Sequence, residues 1–161
     1  MAGYGTDQAF ADWLTENAYG LPVGSPSAAV LRNRGSGYID GVYGARFSGI
    51  PTGGFAQERA WPRTGTYAHG QPIGHSVIPD AVIKASYASA WQEASSPGSL
   101  TASGSAATQV KREKVEGAVE VECQTSSGAW TAANLWPVLT AVEGLLAPYL
   151  VPIGLHDVLV V

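Results

Sequence analysis

"IPDAVIKASYASAWQEAS", Ile78 to Ser95, decides the fold. Pro79 stands at its start, where a missing amide hydrogen costs a helix nothing, and Asp80 puts a negative charge in the first turn. Ile83, Tyr87, Ala90 or Trp91, and Ala94 then recur at steps of four and three, the spacing of one helical face. "SSPGSLTASGSAAT" behind it has the composition of a loop. A helix this well marked in mid-chain predicts a mainly helical body.

Working toward the N-terminus, the pattern predicts a helix from Asp7 to Asn17. Thr6 is its cap, Gly20 lies beyond its end, and Phe10, Trp13 and Leu14 form an apolar stripe. "GLPVGSPS" is a loop. A second helix is expected to start with Ser25 as cap and Pro26 in the first position, and to run to about Tyr43. Ala28, Leu31, Tyr38 and Val42 share a face, with Arg32 and Arg34 pointing elsewhere. Gly35, Gly37 and Gly41 each weaken such a helix by up to ~1 kcal/mol relative to Ala, so they mark a break or a closely packed second backbone. From Gly44 to Ser76 the chain reads as ordered loop with a helical turn near Gln57, too long for a plain connector.

Working toward the C-terminus, the period changes at Val110 to Cys123. Val115, Val119, Val121 and Cys123 mostly alternate with Lys and Glu, as in a half-exposed strand or a hairpin turning near Gly117. A last helix spans about Pro137 to Leu146, with Val138, Val142, Leu145 and Tyr149 in register, and Pro148 ends or kinks it. The tail "VPIGLHDVLVV" is extended and ends strongly apolar. The expected fold is mainly α: a small bundle of about four helices, a β-strand or hairpin near 110–123, and an extended C-terminal arm.

With 161 residues the chain suits one domain and can bury roughly 70% of its unfolded surface without staples. One cysteine excludes an internal disulfide framework and a multi-cysteine zinc site. A charged start with an apolar signal core is lacking, as is an apolar run able to span a bilayer, so the expectation is a soluble protein with no membrane partner, made and kept in a cytoplasm. Only 14% of the residues are charged, at a net charge of −4. So little charge suits a surface partly covered by neighbours in an assembly.

No constellation for catalysis stands out. The Gly-x-Ser-x-Gly elbow, the phosphate-binding Gly-x-x-x-x-Gly-Lys loop and a full dinucleotide fingerprint are all missing from the sequence. His69 and His75 sit in loop without acidic or Cys partners at a metal-binding spacing. His156 and Asp157 are adjacent, which in an extended segment sends their side chains to opposite sides. Glutamates around Cys123 raise a thiol pKa, the wrong direction for a nucleophile. The expectation is no enzyme, no metal and no cofactor.

"FAQERAWPRTG", Phe55 to Gly65, raises the question of nucleic acid. Arg32, Arg34, Arg46, Arg59 and Arg63 are five of the six arginines, opposed over residues 32–63 only by Asp40 and Glu58, a local net of +3 (five minus two). Tyr38, Tyr43, Phe47, Phe55 and Trp61 interleave with them, and arginines plus aromatics are what a single-strand platform uses. Against this, the whole chain is acidic, and phosphate binding is dominated by charge. The plainer account pairs the arginines with acidic groups and puts the aromatics in a core.

The order of the pieces is more specific than any one of them: an early helix, then "QERAWPRTG", "VIPDAVIKASYASA", "VKREKVEGAVEVE" and "VEGLLAPYL". In this order the chain resembles the head–tail connector (adaptor) proteins of long-tailed bacteriophages, in a phage family labelled DnaT-like single-stranded DNA-binding protein. Cys123 departs from the aromatic expected after the strand. The resemblance implies a homo-oligomeric ring of twelve copies that joins the portal protein to the downstream neck, stopper or tail-terminator protein, and through which genomic double-stranded DNA passes. It places the protein in the virion neck, and in host cytoplasm during assembly. It implies a helical adaptor domain over 1–150 and a portal-docking arm over 151–161 carrying Ile153, Leu155, Val158, Leu159, Val160 and Val161. Trp61 and Pro62 become a structural anchor against the third helix, with Arg59 and Arg63 flanking it at a subunit seam. Lys111, Arg112, Glu113, Lys114, Val115, Val119 and Val121 become an intersubunit strand, and the Arg-rich stretch faces protein neighbours. The second reading is a single-stranded DNA-binding protein, as the family label says.

Overall fold

The computed structural model describes residues 2–101, 113–114, 120–121 and 139–151. Four α-helices lie among them, α1 (Asp7–Glu16), α2 (Ala28–Tyr43), α3 (Asp80–Ser95) and α4 (Thr140–Leu146). Three two-stranded antiparallel pairs accompany them: β1 (Ile50–Pro51) with β2 (Arg63–Thr64), β3 (Tyr67–Ala68) with β4 (Gln71–Pro72), and β5 (Glu113–Lys114) with β6 (Glu120–Val121). The fold is mainly α with small β-hairpins, as the sequence predicts.

α3 is the centre, packed against α2 over the largest helix–helix interface and against α4 over the next. Its buried residues, among them Val82, Ala85, Ser86, Ser89 and Ala90, surround much of the helix and are mostly small. Ser86 and Ser89 donate to the carbonyls of Ile83 and Ala85, so their hydroxyls are satisfied within the helix. Small residues let α2 come close. A methyl group on Gly35 would sit 2.8 Å from the Ala90 amide nitrogen, and closer still to the Ser86 carbonyl oxygen. The glycines of α2 therefore mark a close backbone approach, and the helix runs unbroken through them.

Two buried clusters result. Phe10, Leu14, Leu31, Tyr87, Ala90 and Ala94 join α1, α2 and α3. Tyr38, Ile39, Phe47, Trp61, Val82 and Val142 belong to the larger cluster, which joins α2, α3, α4 and the 47–61 loop.

Helix α1 begins as predicted, with the Thr6 hydroxyl accepting from the Ala9 amide. Helix α2 begins later than predicted, with Ser27 preceding Ala28. The reason is a turn: both the amide and the hydroxyl of Ser25 donate to the Pro22 carbonyl, which takes Ser25 out of the capping position. The 44–76 stretch carries its helical turn at Gly54–Ala56, just before Gln57. β3 and β4 are joined by His69 and Gly70, both at positive φ (51° and 76°), the conformation a two-residue hairpin turn requires. After α4, Pro148 lies in a 3-10 turn, and the chain then pairs Leu150 with Phe47. Of the strand or hairpin predicted near 110–123, the described residues show the antiparallel β5–β6 pairing, and Gly117 lies outside them. Pro137 and Val138 of the predicted last helix lie outside the described residues.

Candidate nucleic-acid interface

The five arginines of the 32–63 stretch all have partners in their own chain. Arg32 pairs with Asp7 at 2.7 Å and donates to the carbonyls of Gly3, Tyr4 and Gly5, fastening the N-terminal segment to α2. Arg34 meets Glu93 at 3.1 Å and Arg46 meets Glu143 at 3.3 Å. Arg59 meets Asp40 at 3.0 Å and also donates to Asn33 and to the Ala2 carbonyl. Arg63 has no carboxylate partner among the described residues. Its guanidinium donates to the carbonyls of Phe47, Ser48, Gly49 and Ala60 at 2.6–3.2 Å, and burial lowers its pKa. This is the plainer account of the stretch: four of its arginines pair with acidic groups of their own chain.

The aromatics between them are interior too. Trp61 is 2% exposed, in the same buried cluster as Val82 and Ala85 of α3, with Phe47 and Tyr149 as ring neighbours at 5.5 and 6.2 Å. The Trp61–Pro62 peptide bond is cis and Pro62 is half-buried. The Trp61 amide donates to the Tyr4 hydroxyl, which donates to Asp40, which accepts from Arg59. Burial first, and the Asp40 charge second, push the Tyr4 pKa up. Phe55 alone of these five rings is fully exposed.

The other predicted positions separate. Glu113, Lys114 and Val121 lie on β5 and β6, which pair with each other within one chain. Lys111, Arg112, Val115 and Val119 lie outside the described residues, as do Ile153, Leu155, Val158, Leu159, Val160 and Val161, and Cys123, His156 and Asp157. His69 sits in the β3–β4 turn, and the His75 carbonyl accepts from Thr52. Among the described residues no cluster of His, Cys, Asp and Glu could hold a metal ion, and no helix is long and apolar enough to cross a membrane.

A second aromatic group faces outward. Trp13 of α1, Tyr19 just beyond it and Trp91 of α3 line an open groove of about 770 Å³, together with α4 residues including Leu145. Tyr19 stacks on Trp91, centroids 4.1 Å apart and planes 13° from parallel, and Trp13 tilts against Tyr19 at 5.5 Å. Both tryptophans are half-buried and Tyr19 is 39% exposed. Tyr19 is brought there by the end of α1. The Ala18 amide donates to Thr15 and the Tyr19 amide to Leu14, and Ala18 takes positive φ (53°), which folds the chain back over the helix end. Lys84 is the one cation among the described lining residues and Glu16 the one anion. Lys84 hydrogen-bonds Asp80 at 2.7 Å, which raises the lysine pKa and keeps it charged.

Sequence reasoning placed Trp13 on an apolar stripe and Trp91 on a helical face, but missed their convergence with Tyr19. The available signal was the aromatic at position 19, directly behind a helix already carrying Trp13.

Fold and groove together define a small, mainly helical protein with an aromatic cleft and no free arginine cluster among the described residues. A protein-family model described as "Putative DnaT-like ssDNA binding protein" matches residues 4–158, and the chain belongs to that family. No curated protein and no solved structure matches it. The match corrects the reading as a head–tail connector: the family is described by single-stranded DNA binding, and the adaptor role between portal and neck is set aside.

Proposed function

We propose that this protein binds single-stranded DNA, and that the groove between α1, α3 and α4 receives the bases. The observation that carries the site is the Tyr19–Trp91 stack lining an open cleft beside Trp13 and Lys84, in a chain of this family. A base stacked on an aromatic side chain contributes about 1–3 kcal/mol whatever its identity, so such a cleft suits binding without sequence preference. The Arg-rich stretch takes no part, because its guanidinium groups are already engaged. In this reading the protein binds and transforms no molecule.

Fluorescence anisotropy with a labelled single-stranded oligonucleotide tests it. Saturable binding tighter than about 10⁻⁴ M is expected. A duplex of the same sequence should bind more weakly, since its bases already stack on one another. Trp91→Ala should weaken the single-strand affinity about tenfold, within the range for one lost stacking partner. Absence of binding by the folded protein overturns the proposal.

A further inference from the structure

We propose that the groove recognises the faces of unpaired bases and not the polyanionic backbone, so that its ligand class is any flexible strand of bases, charged or neutral. This rests on the single-strand reading above and goes past it. Its ground is a mismatch between ring surface and charge. Three aromatic side chains line the groove, but Lys84 is its one described cation, half-occupied by Asp80 and offset by Glu16. The formal charge of the described lining is therefore zero, one lysine against one glutamate. A site built on phosphates needs several free cations, and each phosphate neutralised on a single strand steepens the salt dependence by about 0.7 in log K per log salt.

The placement of Tyr19 points the same way. A non-glycine residue at positive φ, Ala18, carries a conformational cost of about 1–2 kcal/mol, and it holds Tyr19 over the indole of Trp91. Strain of this kind gathers at functional positions. Trp91 stacks on one face of Tyr19 and Trp13 tilts against the same ring, yet the residue keeps 39% exposure. A base laid on the remaining surface extends the existing stack from two rings to three. Asn17, whose amide also donates to the Trp13 carbonyl, Gln92 and Thr140 among the lining residues supply polar groups for base edges without adding charge.

The experiment compares oligothymidylate with a methylphosphonate strand of the same sequence, whose backbone is neutral, by anisotropy at low and high salt. Expected are similar affinities for the two strands and a salt slope for the DNA no steeper than about −0.7. Tyr19→Ala, at an exposed position, should weaken both strands alike by about tenfold. If the DNA binds with a slope several times steeper and the methylphosphonate strand does not bind, base recognition is wrong while the single-strand reading stands. If neither strand binds, both fall. If both bind but Tyr19→Ala changes neither, bases are recognised elsewhere and the groove assignment is overturned.

Discussion

The 32–63 stretch and the α1–α3–α4 groove contain the same kinds of side chain put to opposite uses. The first concentrates five arginines and five aromatic rings in one span, buries Arg32, Arg63 and four of the rings, and ties the exposed Arg34 to Glu93. The second gathers two half-buried tryptophans, an exposed tyrosine and one lysine from separate parts of the chain along an open groove. What separates them is the partner of each polar group. Arg63 satisfies four backbone carbonyls of a long loop that has few ladder hydrogen bonds of its own, and Arg32 does the same for the N-terminal segment. Here an arginine works as a multidentate donor that lets irregular backbone be buried. Local enrichment in cations says little about ligands until the acceptors are known.

The largest expected effect lies in the interior region. Trp61→Ala removes a 2% exposed indole from the junction of loop, α3 and the 147–149 turn, and should destabilise the fold by about 3–5 kcal/mol. Denaturant unfolding measures it. A loss under about 1 kcal/mol would mean that the loop does not depend on this ring, and the contrast between the regions would fail. Arg63→Met comes next. It keeps much of the side-chain bulk but strands four carbonyl oxygens, and a buried acceptor left unsatisfied costs about 1–3 kcal/mol. Its second readout sharpens the comparison. Oligonucleotide affinity and salt slope of the folded fraction should match the parent, and a shallower slope in Arg63→Met would return that arginine to the phosphate-binding surface.

The fold was legible where a signal is local. Pro79 and Asp80 mark the start of α3, and Thr6 caps α1, because caps and first-turn charges act over a few residues. Gly35 was legible only as an alternative, break or close approach, since choosing needs the position of Ala90. The start of α2 was misplaced because a serine can serve a turn as readily as a cap, and Ser25 serves the turn at Pro22. The groove was not legible. Gly20 was the expected signal beyond the first helix, but the left-handed residue is Ala18, two positions earlier and without the usual side-chain signature. That choice decides where Tyr19 goes. The pairing of Arg34 with Glu93 or Arg46 with Glu143 likewise spans too much chain for spacing rules to reach.

The smallest expected effect has the opposite sign. Ala18→Gly removes a left-handed cost of about 1–2 kcal/mol. It also gives the unfolded chain more freedom, which opposes the gain by about 0.4–1 kcal/mol. The first effect is the larger, so the variant should be more stable by roughly 0.5–1 kcal/mol, read as a rise in the denaturant midpoint at unchanged slope. Ala18 is exposed and is not among the groove-lining residues, so single-strand affinity should stay at the parent level. A destabilised Ala18→Gly would show that residue 18 is not left-handed in solution. Tyr19 would then have no reason to lie on Trp91, and the outward-facing aromatic surface would lose the element that distinguishes it from the buried one.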